Sequence, residues 1–201
     1  MVHRDVPGQN LSGCVSARAL ILVSFVTRTS MNQPPFPLHT HVFAVPTLSA
    51  PLRVAFISAQ WHADIVGQGR QGFLDELPRL APVAQRVDLY QVPGAFEMPL
   101  LARRLARSGR YDAIVACALV VDGGIYRHEF VAAAVVDGLM RVQLDTDVPV
   151  LSVSLTPKDF HEHEDHQQFY QQHFVKKGAE AARCCLQAVA AMRALEAGVP
   201  V

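Results

Sequence analysis

The stretch Arg53-Val54-Ala55-Phe56-Ile57-Ser58 is almost continuously apolar, as expected for a strand buried on both faces of a parallel sheet. Residues 64–80 follow, with apolar side chains at helical spacing. The same pairing repeats three times, with strands expected at 86–91, 113–121 and 149–154 and helices at 97–108, about 128–144 and about 177–197. The sequence therefore predicts an α/β fold, a three-layer α/β/α sandwich with a four-stranded parallel sheet.

Length and charge limit the possible partners. The chain has 201 residues, half of them hydrophobic, which fits one full-sized core with tails. Its 18 basic and 18 acidic residues balance, so there is no general positive field to hold a nucleic-acid backbone or an anionic membrane. We expect neither nucleic acid nor membrane as a partner.

The N-terminal quarter differs from the rest. Residues 1–51 are expected to form an irregular or disordered arm, because five prolines within 34–51 remove backbone donors. The apolar stretch 17–26 is too short to span a bilayer, and no clean cleavage site follows, so a secretory signal is disfavoured. An over-called start, with Met31 as the true first residue, is the alternative. The domain is then 52–197, with a short tail at 198–201.

The four cysteines indicate a reducing compartment. They show neither a CxxC spacing nor a regular framework, and the adjacent Cys184 and Cys185 cannot easily bridge to each other. We therefore expect a cytoplasmic protein.

Ligands of parallel α/β sheets bind beyond the carboxyl ends of the strands, so the loops there are the ones to inspect. The first carries Trp61, the only tryptophan, whose face could stack on a flat heterocycle or could simply be buried in a core or an interface. The second, 93–99, is a glycine-bearing turn into a helix, where Glu97 could bind a ring edge and a polyol or merely complement the helix dipole.

The third loop, 122–129, is the densest in functional groups. Its two glycines permit a close approach of a ligand, and Arg127 beside His128 supplies a phosphate ligand and a proton donor. A solvated turn that ends in a helix-terminal histidine is the structural alternative. No Walker loop or GxGxxG run is present, so we expect no nucleotide cofactor, and indeed no cofactor at all.

The fourth loop contains the histidine-rich run 161–166 and a lysine pair. Three imidazoles and three carboxylates invite a zinc interpretation, but the HExxH spacing and a nearby cysteine are lacking, so a mobile flap with histidines facing the ligand is favoured over a metal site. Lys176 and Lys177 are expected to begin the last helix, where an anion could bind; a plain surface pair is the alternative.

Taken in order, these loops resemble the 6,7-dimethyl-8-ribityllumazine synthase family, specifically its type II branch, over about 53–194. The blocks that carry the resemblance are Ala59-Gln60-Trp61-His62-Ala63-Asp64-Ile65-Val66, Val92-Pro93-Gly94-Ala95-Phe96-Glu97-Met98-Pro99, Asp122-Gly123-Gly124-Ile125-Tyr126-Arg127-His128 and Val148-Pro149-Val150-Leu151-Ser152-Val153.

The resemblance implies a flavodoxin-like fold and a decamer of two pentamers with active sites between neighbouring subunits. It implies condensation of 5-amino-6-(D-ribitylamino)uracil with 3,4-dihydroxy-2-butanone 4-phosphate to a lumazine, the penultimate step of riboflavin biosynthesis. The residues carried over as substrate-binding are Trp61, Ala95, Phe96, Glu97, Leu119, Val120, Val121 and Ser152.

Two departures from the family pattern leave roles open. The common Arg-Gly-Glu-Thr-Ser-His run is replaced by 122–128, so that Arg127 aligns with the proton donor and His128 lies beside it. The family's phosphate-binding arginine falls in the region 166–169, where no arginine occurs, so that phosphate binding is expected either to be weaker or to rest on Arg127, His166 and Lys177. The alternatives to a synthase are an oligomer that binds a flavin or lumazine with little or no activity, and a mainly structural assembly.

Overall fold

Four strands, each followed by a helix, make up the computed structural model, which describes residues 48, 50–81, 85–161 and 163–198. The elements are β1 (Leu52–Ala59), α1 (Ala63–Leu80), β2 (Gln85–Val92), a 3-10 turn (Ala95–Glu97), α2 (Met98–Ala106), β3 (Ala113–Leu119), α3 (His128–Thr146), β4 (Val150–Leu155) and α4 (Glu164–Glu196). The predicted alternation of strands and helices is confirmed.

The sheet is parallel throughout and has the strand order β2-β1-β3-β4. Ala59 pairs with Val92 and Leu119 with Leu155, so the carboxyl ends of all four strands lie at one edge. This is the four-stranded flavodoxin-like sheet that the sequence predicts. The loops expected to carry chemistry therefore leave the sheet on the same side.

Two hydrophobic layers cover the sheet. One joins β1 and β3 to α1 and α4, around Phe56, Phe73 and Phe174. The other joins the same strands to α2 and α3, around Ile57, Met98 and Leu139. The three-layer sandwich thus follows from strands that are apolar on both faces, which need a helical cover on each side.

Helices α1 and α4 are in backbone contact. A Cβ added at Gly178 would lie 2.0 Å from the Gly69 carbonyl oxygen, and one added at Gly72 would lie 2.1 Å from that of Val175. Neither position has room for a side chain. The glycines are therefore required by the close approach of the two helices rather than by a turn.

The beginning of the last helix was predicted wrongly. The sequence favoured a start at Lys177, whereas α4 begins at Glu164 and carries Lys177 in its interior. Acidic residues in its first turn, Glu164 and Asp165, complement the helix dipole, and Gly178 is accommodated inside the helix because α1 packs against it. Two smaller corrections are that β3 ends at Leu119 rather than 121, and that a 3-10 turn precedes a shorter α2.

The amino edge of the sheet is held by an ion-pair cluster. Asp112 accepts hydrogen bonds from the Arg53 backbone and side chain at 2.7–3.2 Å, and Arg193 of α4 lies 3.4 Å from the same carboxylate. Arg193 also donates to the carbonyl oxygens of Ala50 and Pro51, at 3.0 and 2.9 Å. These bonds fix the chain where it enters β1, and Leu48 just before it is buried.

Most of the predicted N-terminal arm, namely 1–47 and residue 49, lies outside the described residues, as do 199–201 of the tail. The described helices include none that is long and apolar enough to cross a bilayer. Cys117, Cys184 and Cys185 are free thiols.

Candidate active site

A cavity of about 430 Å³ opens at the carboxyl edge of the sheet. It is bounded by the ends of β1 and β3, the loop after β2 and the loop before α3. Its lining residues are Ala59, Trp61, His62, Pro93, Gly94, Ala95, Phe96, Glu97, Leu119, Val120, Val121, Gly123, Tyr126, Arg127, His128 and Val131. All predicted site residues except Ser152, His166 and Lys177 therefore meet in one cavity.

The Trp61 indole forms one wall of this cavity. It is 70% exposed, so it does not belong to the core of the chain, and its six-membered ring lies 3.8 Å from the position of a Cβ added at Gly94. Glycine thus lets the turn after β2 approach the indole closely. A broad, exposed aromatic face beside the cavity is suited to stacking on a flat ligand.

Glu97 adds a carboxylate to the same wall. One oxygen, Oε2, accepts a hydrogen bond from the Gly94 N–H at 2.9 Å, which caps the short helix. Within the described part of the chain, the other oxygen, Oε1, has no hydrogen-bond partner. One carboxylate can therefore hold the turn and still accept a hydrogen bond from a ligand.

Arg127 and His128 lie at the start of α3. The Arg127 guanidinium lies 4.6 Å from the centroid of the exposed Phe130 ring, so a cation–π contact orients it. The His128 side chain is 14% exposed, and its Nδ1 lies 4.0 Å from Asp122 Oδ1 and 3.8 Å from Glu129 Oε2. The site thus contains a fixed cation and an imidazole flanked by carboxylates.

The chain leaving β3 forms the floor. Leu119 and Val120 are buried, and Val121 follows at the rim. Next, the Gly124 N–H donates to Asp122 Oδ1 at 2.8 Å and closes a tight turn, in which Gly124 has a φ of 77°. That positive φ is the reason for a glycine there.

Ser152 and Lys177 lie elsewhere. Both line a second pocket of about 230 Å³ between β4 and α4, together with Glu180 and Cys184. Lys177 Nζ contacts Glu180 Oε2 at 2.7 Å. The expected position of Lys177 at a helix start is wrong, because Lys177 lies in the interior of α4; its part in binding an anion stays a prediction.

His166 is also apart from the cavity. It lies in the first turn of α4, its Nδ1 accepts a hydrogen bond from the His161 N–H at 3.3 Å, and the two rings are 5.4 Å apart. Among the described residues, which exclude Glu162, no group of three or more histidine, cysteine or acidic side chains is arranged to hold a metal ion. The run 161–166 is thus partly the beginning of a helix rather than a free flap.

His62, Gly123 and Tyr126 also line the cavity, although the sequence did not predict them as site residues. Tyr126 is 84% exposed, at the mouth. The signal that could have found them is their position in the same two loops as Trp61 and Arg127. A loop that follows a strand end contributes several neighbouring residues to the cavity wall, so the whole loop has to be considered.

The fold and the cavity define a class: a parallel α/β protein with a cavity at the carboxyl edge of its sheet, lined by an aromatic ring, a carboxylate, a guanidinium and an imidazole. Comparison with known proteins narrows the class. The sequence profile of the 6,7-dimethyl-8-ribityllumazine synthase family matches residues 51–193, and the chain belongs to that family.

Three curated relatives give the degree of similarity. A 6,7-dimethyl-8-ribityllumazine synthase of Rhodococcus erythropolis is 62% identical over 71% of this chain and 92% of that protein. A 6,7-dimethyl-8-ribityllumazine synthase 2 of Pseudomonas syringae is 55% identical over 71% of this chain and 84% of that protein. Another synthase 2, of Bradyrhizobium diazoefficiens, is 49% identical over 77% and 92% of the two chains.

Proposed function

We propose that this protein is a 6,7-dimethyl-8-ribityllumazine synthase, a transferase of riboflavin biosynthesis. It condenses 5-amino-6-(D-ribitylamino)uracil with 3,4-dihydroxy-2-butanone 4-phosphate. Family membership and relatives of 55–62% identity that bear this name support the activity. The two relatives named synthase 2 support placement in the type II branch.

The observation that carries the proposal is the convergence of four side chains on one cavity: the Trp61 indole, the Glu97 carboxylate, the Arg127 guanidinium and the His128 imidazole. The indole stacks on the pyrimidine. The carboxylate accepts hydrogen bonds from the ring or the ribityl chain, while Ala95, Phe96 and the backbone of 119–121 border the ring.

The reaction needs two bound substrates and several proton transfers. The pyrimidine amine attacks the ketone, an imine forms with loss of water, phosphate leaves, and ring closure with a further dehydration gives the lumazine. Orientation of the two substrates can supply up to roughly 7–11 kcal/mol of the acceleration. Proton transfer by a positioned side chain adds about 10²–10⁴-fold.

Arg127 and His128 have different roles, one in binding the phosphate and the other in proton transfer. Arginine side chains remain protonated throughout the working range of proteins, so Arg127 serves as an anion ligand for the phosphate. An imidazole exchanges protons near neutral pH, so His128 moves the proton. The carboxylates of Asp122 and Glu129, 4.0 and 3.8 Å from its Nδ1, orient the ring.

A second copy of the chain completes the site. Ser152 and Lys177 cannot reach the cavity of their own chain, because they line a pocket on the far edge strand, β4. We propose that neighbouring copies present this edge to the cavity and supply Ser152 and Lys177, with His166 near the phosphate. Exposed apolar side chains on α3, Met140 and Leu144 among them, support a homo-oligomer, which we take to be two stacked pentamers.

The domain boundaries and the cellular compartment are proposals too. Residues 52–197 form the catalytic domain, preceded by an arm. The cytoplasm is the compartment, in keeping with the free thiols of Cys117, Cys184 and Cys185.

The test is a lumazine-formation assay on the purified protein with both substrates, followed by fluorescence of the product and combined with size analysis. Wild-type protein should turn over. Arg127→Gln should raise the KM for the phosphate substrate, and His128→Asn should lower kcat by about 10²–10⁴-fold without abolishing turnover.

Arg79→Gln, at the exposed end of α1, is the matched control and should behave as wild type. Protein that binds the pyrimidine, with quenching of the Trp61 fluorescence, but forms no lumazine would select the flavin- or lumazine-binding oligomer instead. An unchanged Trp61 signal and no product would favour a structural assembly.

A further inference from the structure

His62 has an unusual conformation beside the cavity. Its φ of 54° and ψ of 45° place a non-glycine residue in the left-handed region, directly after Trp61 and before α1. Such residues are uncommon, although histidine tolerates the region better than most. Among the described residues only Asp147 shares a positive φ without being glycine.

This conformation lets the His62 backbone start α1, but the His62 side chain makes no hydrogen bond that would stabilise the helix. The His62 carbonyl oxygen accepts from the Ile65 and Val66 N–H groups, at 3.0 and 2.9 Å, and so starts α1. At this position a serine, aspartate or asparagine side chain commonly caps the helix, whereas the imidazole of His62 makes no cap. Within the described chain its ring nitrogens have no hydrogen-bond partner.

Packing fixes the orientation of the ring. Its edge meets the Phe160 ring at 5.2 Å between centroids and 70° between planes, and Phe160 is itself held by Tyr170 at 5.4 Å. Tyr170 is anchored by a hydrogen bond from its hydroxyl to the Asp159 carbonyl oxygen, 2.9 Å long. A half-buried imidazole is therefore held in place at the cavity wall without using its polar atoms.

We propose that His62 is a specificity-determining residue that hydrogen-bonds the polar edge of the heterocycle stacked on Trp61. The inference rests on the proposed function, since it assigns a further contact in the same site. Trp61 and His62 are consecutive, and both line the cavity. One residue thus covers the face of a flat ring, while the next offers a donor or acceptor to its rim.

The test is two-substrate kinetics with a direct titration of Trp61 fluorescence by the aminopyrimidine. His62→Phe keeps the aromatic contact with Phe160 and removes the ring nitrogens. It should raise the KM and Kd of the aminopyrimidine about ten-fold, the effect of one lost hydrogen bond, and leave the KM of butanone phosphate unchanged. His62→Asn, which tolerates the same backbone and retains polar atoms, should recover most of the affinity.

Two further variants keep the result unambiguous. His163→Phe makes the same chemical change outside the cavity and should match wild type. His62→Gly accepts the left-handed backbone without strain, so it should show the same weakened binding if His62→Phe fails to fold.

If wild type is active and His62→Phe binds the aminopyrimidine as tightly as wild type does, the inference is wrong and the proposed function stands. The same conclusion follows if His62→Phe changes only the KM of butanone phosphate. Wild-type protein that forms no lumazine overturns the proposed function and, with it, this role of His62.

Discussion

The two helical layers differ in how completely they are closed. Helices α1 and α4 approach until backbone touches backbone at Gly69, Gly72 and Gly178. On the opposite face, α3 packs on the sheet through Val135, Leu139 and Val142 yet leaves apolar side chains in solvent, with Met140 52% and Leu144 71% exposed. In the closed layer, α1 and α4 are thus in backbone contact, whereas in the open layer the outer surface of α3 offers apolar side chains to a covering partner.

The largest expected effect is the loss of the closed layer. Gly178→Ala places a Cβ where the Gly69 carbonyl oxygen and the Phe73 backbone nitrogen already lie, at 2.0 and 2.8 Å. The helices must separate, which should cost about 3 kcal/mol or more of unfolding free energy, well above the gain of about 1 kcal/mol in helix propensity. Denaturant unfolding measures the difference.

Gly67→Ala is its matched control. It lies in α1 too, but an added Cβ there has nothing within 4 Å. This variant should be as stable as wild type or more so by up to about 1 kcal/mol. Equal stability of Gly178→Ala and Gly67→Ala would contradict the backbone contact between α1 and α4.

In the open layer, we expect substitutions to change the assembly of the protein rather than the stability of the single chain. Met140→Glu combined with Leu144→Glu puts charge on the outer surface of α3, where the only hydrogen bond lost among the described residues is the one from Gln143 Nε2 to the Met140 sulfur, 3.7 Å long. We expect the proposed oligomer to dissociate while the chain keeps its helical content, since burying an unpaired charge in an interface costs several kcal/mol. Sedimentation and circular dichroism measure the two properties. Arg141→Glu, at a residue of α3 that is already charged and exposed, controls for added negative charge, and intact assembly of the double variant would refute the interface.

The sequence predicted features that depend on local patterns but not those that depend on contacts between distant elements. Alternating strands and helices, and the loops with Trp61, Glu97, Arg127 and His128, follow from local patterns, and the structure brings these residues together. The start of α4 did not follow, because the polar run 161–166 was interpreted as a flap and the lysine pair as the first turn, and only the proximity of α1 explains Gly178 inside a helix. Nor could spacing reveal that Ser152 and Lys177 line a separate pocket between the edge strand β4 and α4, since that depends on strand order.

A smaller effect is expected where α4 closes the amino edge of the sheet. Burial of the Asp112 carboxyl opposes its ionisation, but the hydrogen bonds and charges of Arg53, with the charge of Arg193, outweigh burial and lower its pKa from the ordinary 3.8. The stabilisation is therefore present above about pH 4 and is lost as the pH falls through the lowered folded value.

Asp112→Asn should remove about 1–2 kcal/mol at pH 7, since Arg53 is partly exposed and solvent screens the pair. The gap to wild type should narrow as the pH is lowered from about 4. Unfolding curves across pH provide the measurement. Asp75→Asn, on the exposed surface of α1, is the surface control, and a gap between wild type and Asp112→Asn that widened in acid would reverse the assigned sign.

The smallest effect is expected at the rim of the closed layer. Arg183 of α4 pairs with Glu76 of α1, and its side chain is 46% exposed, so solvent screens the pair. Arg183→Ala should cost less than about 1 kcal/mol, far less than Gly178→Ala five residues earlier on the same helix. If the two losses were equal, the charged rim rather than the glycine contact would hold α1 to α4. If Arg183→Ala instead lowers the unfolding free energy only slightly, and high salt removes the difference, the backbone contact is what holds the two helices together, because salt screens only the ion pair.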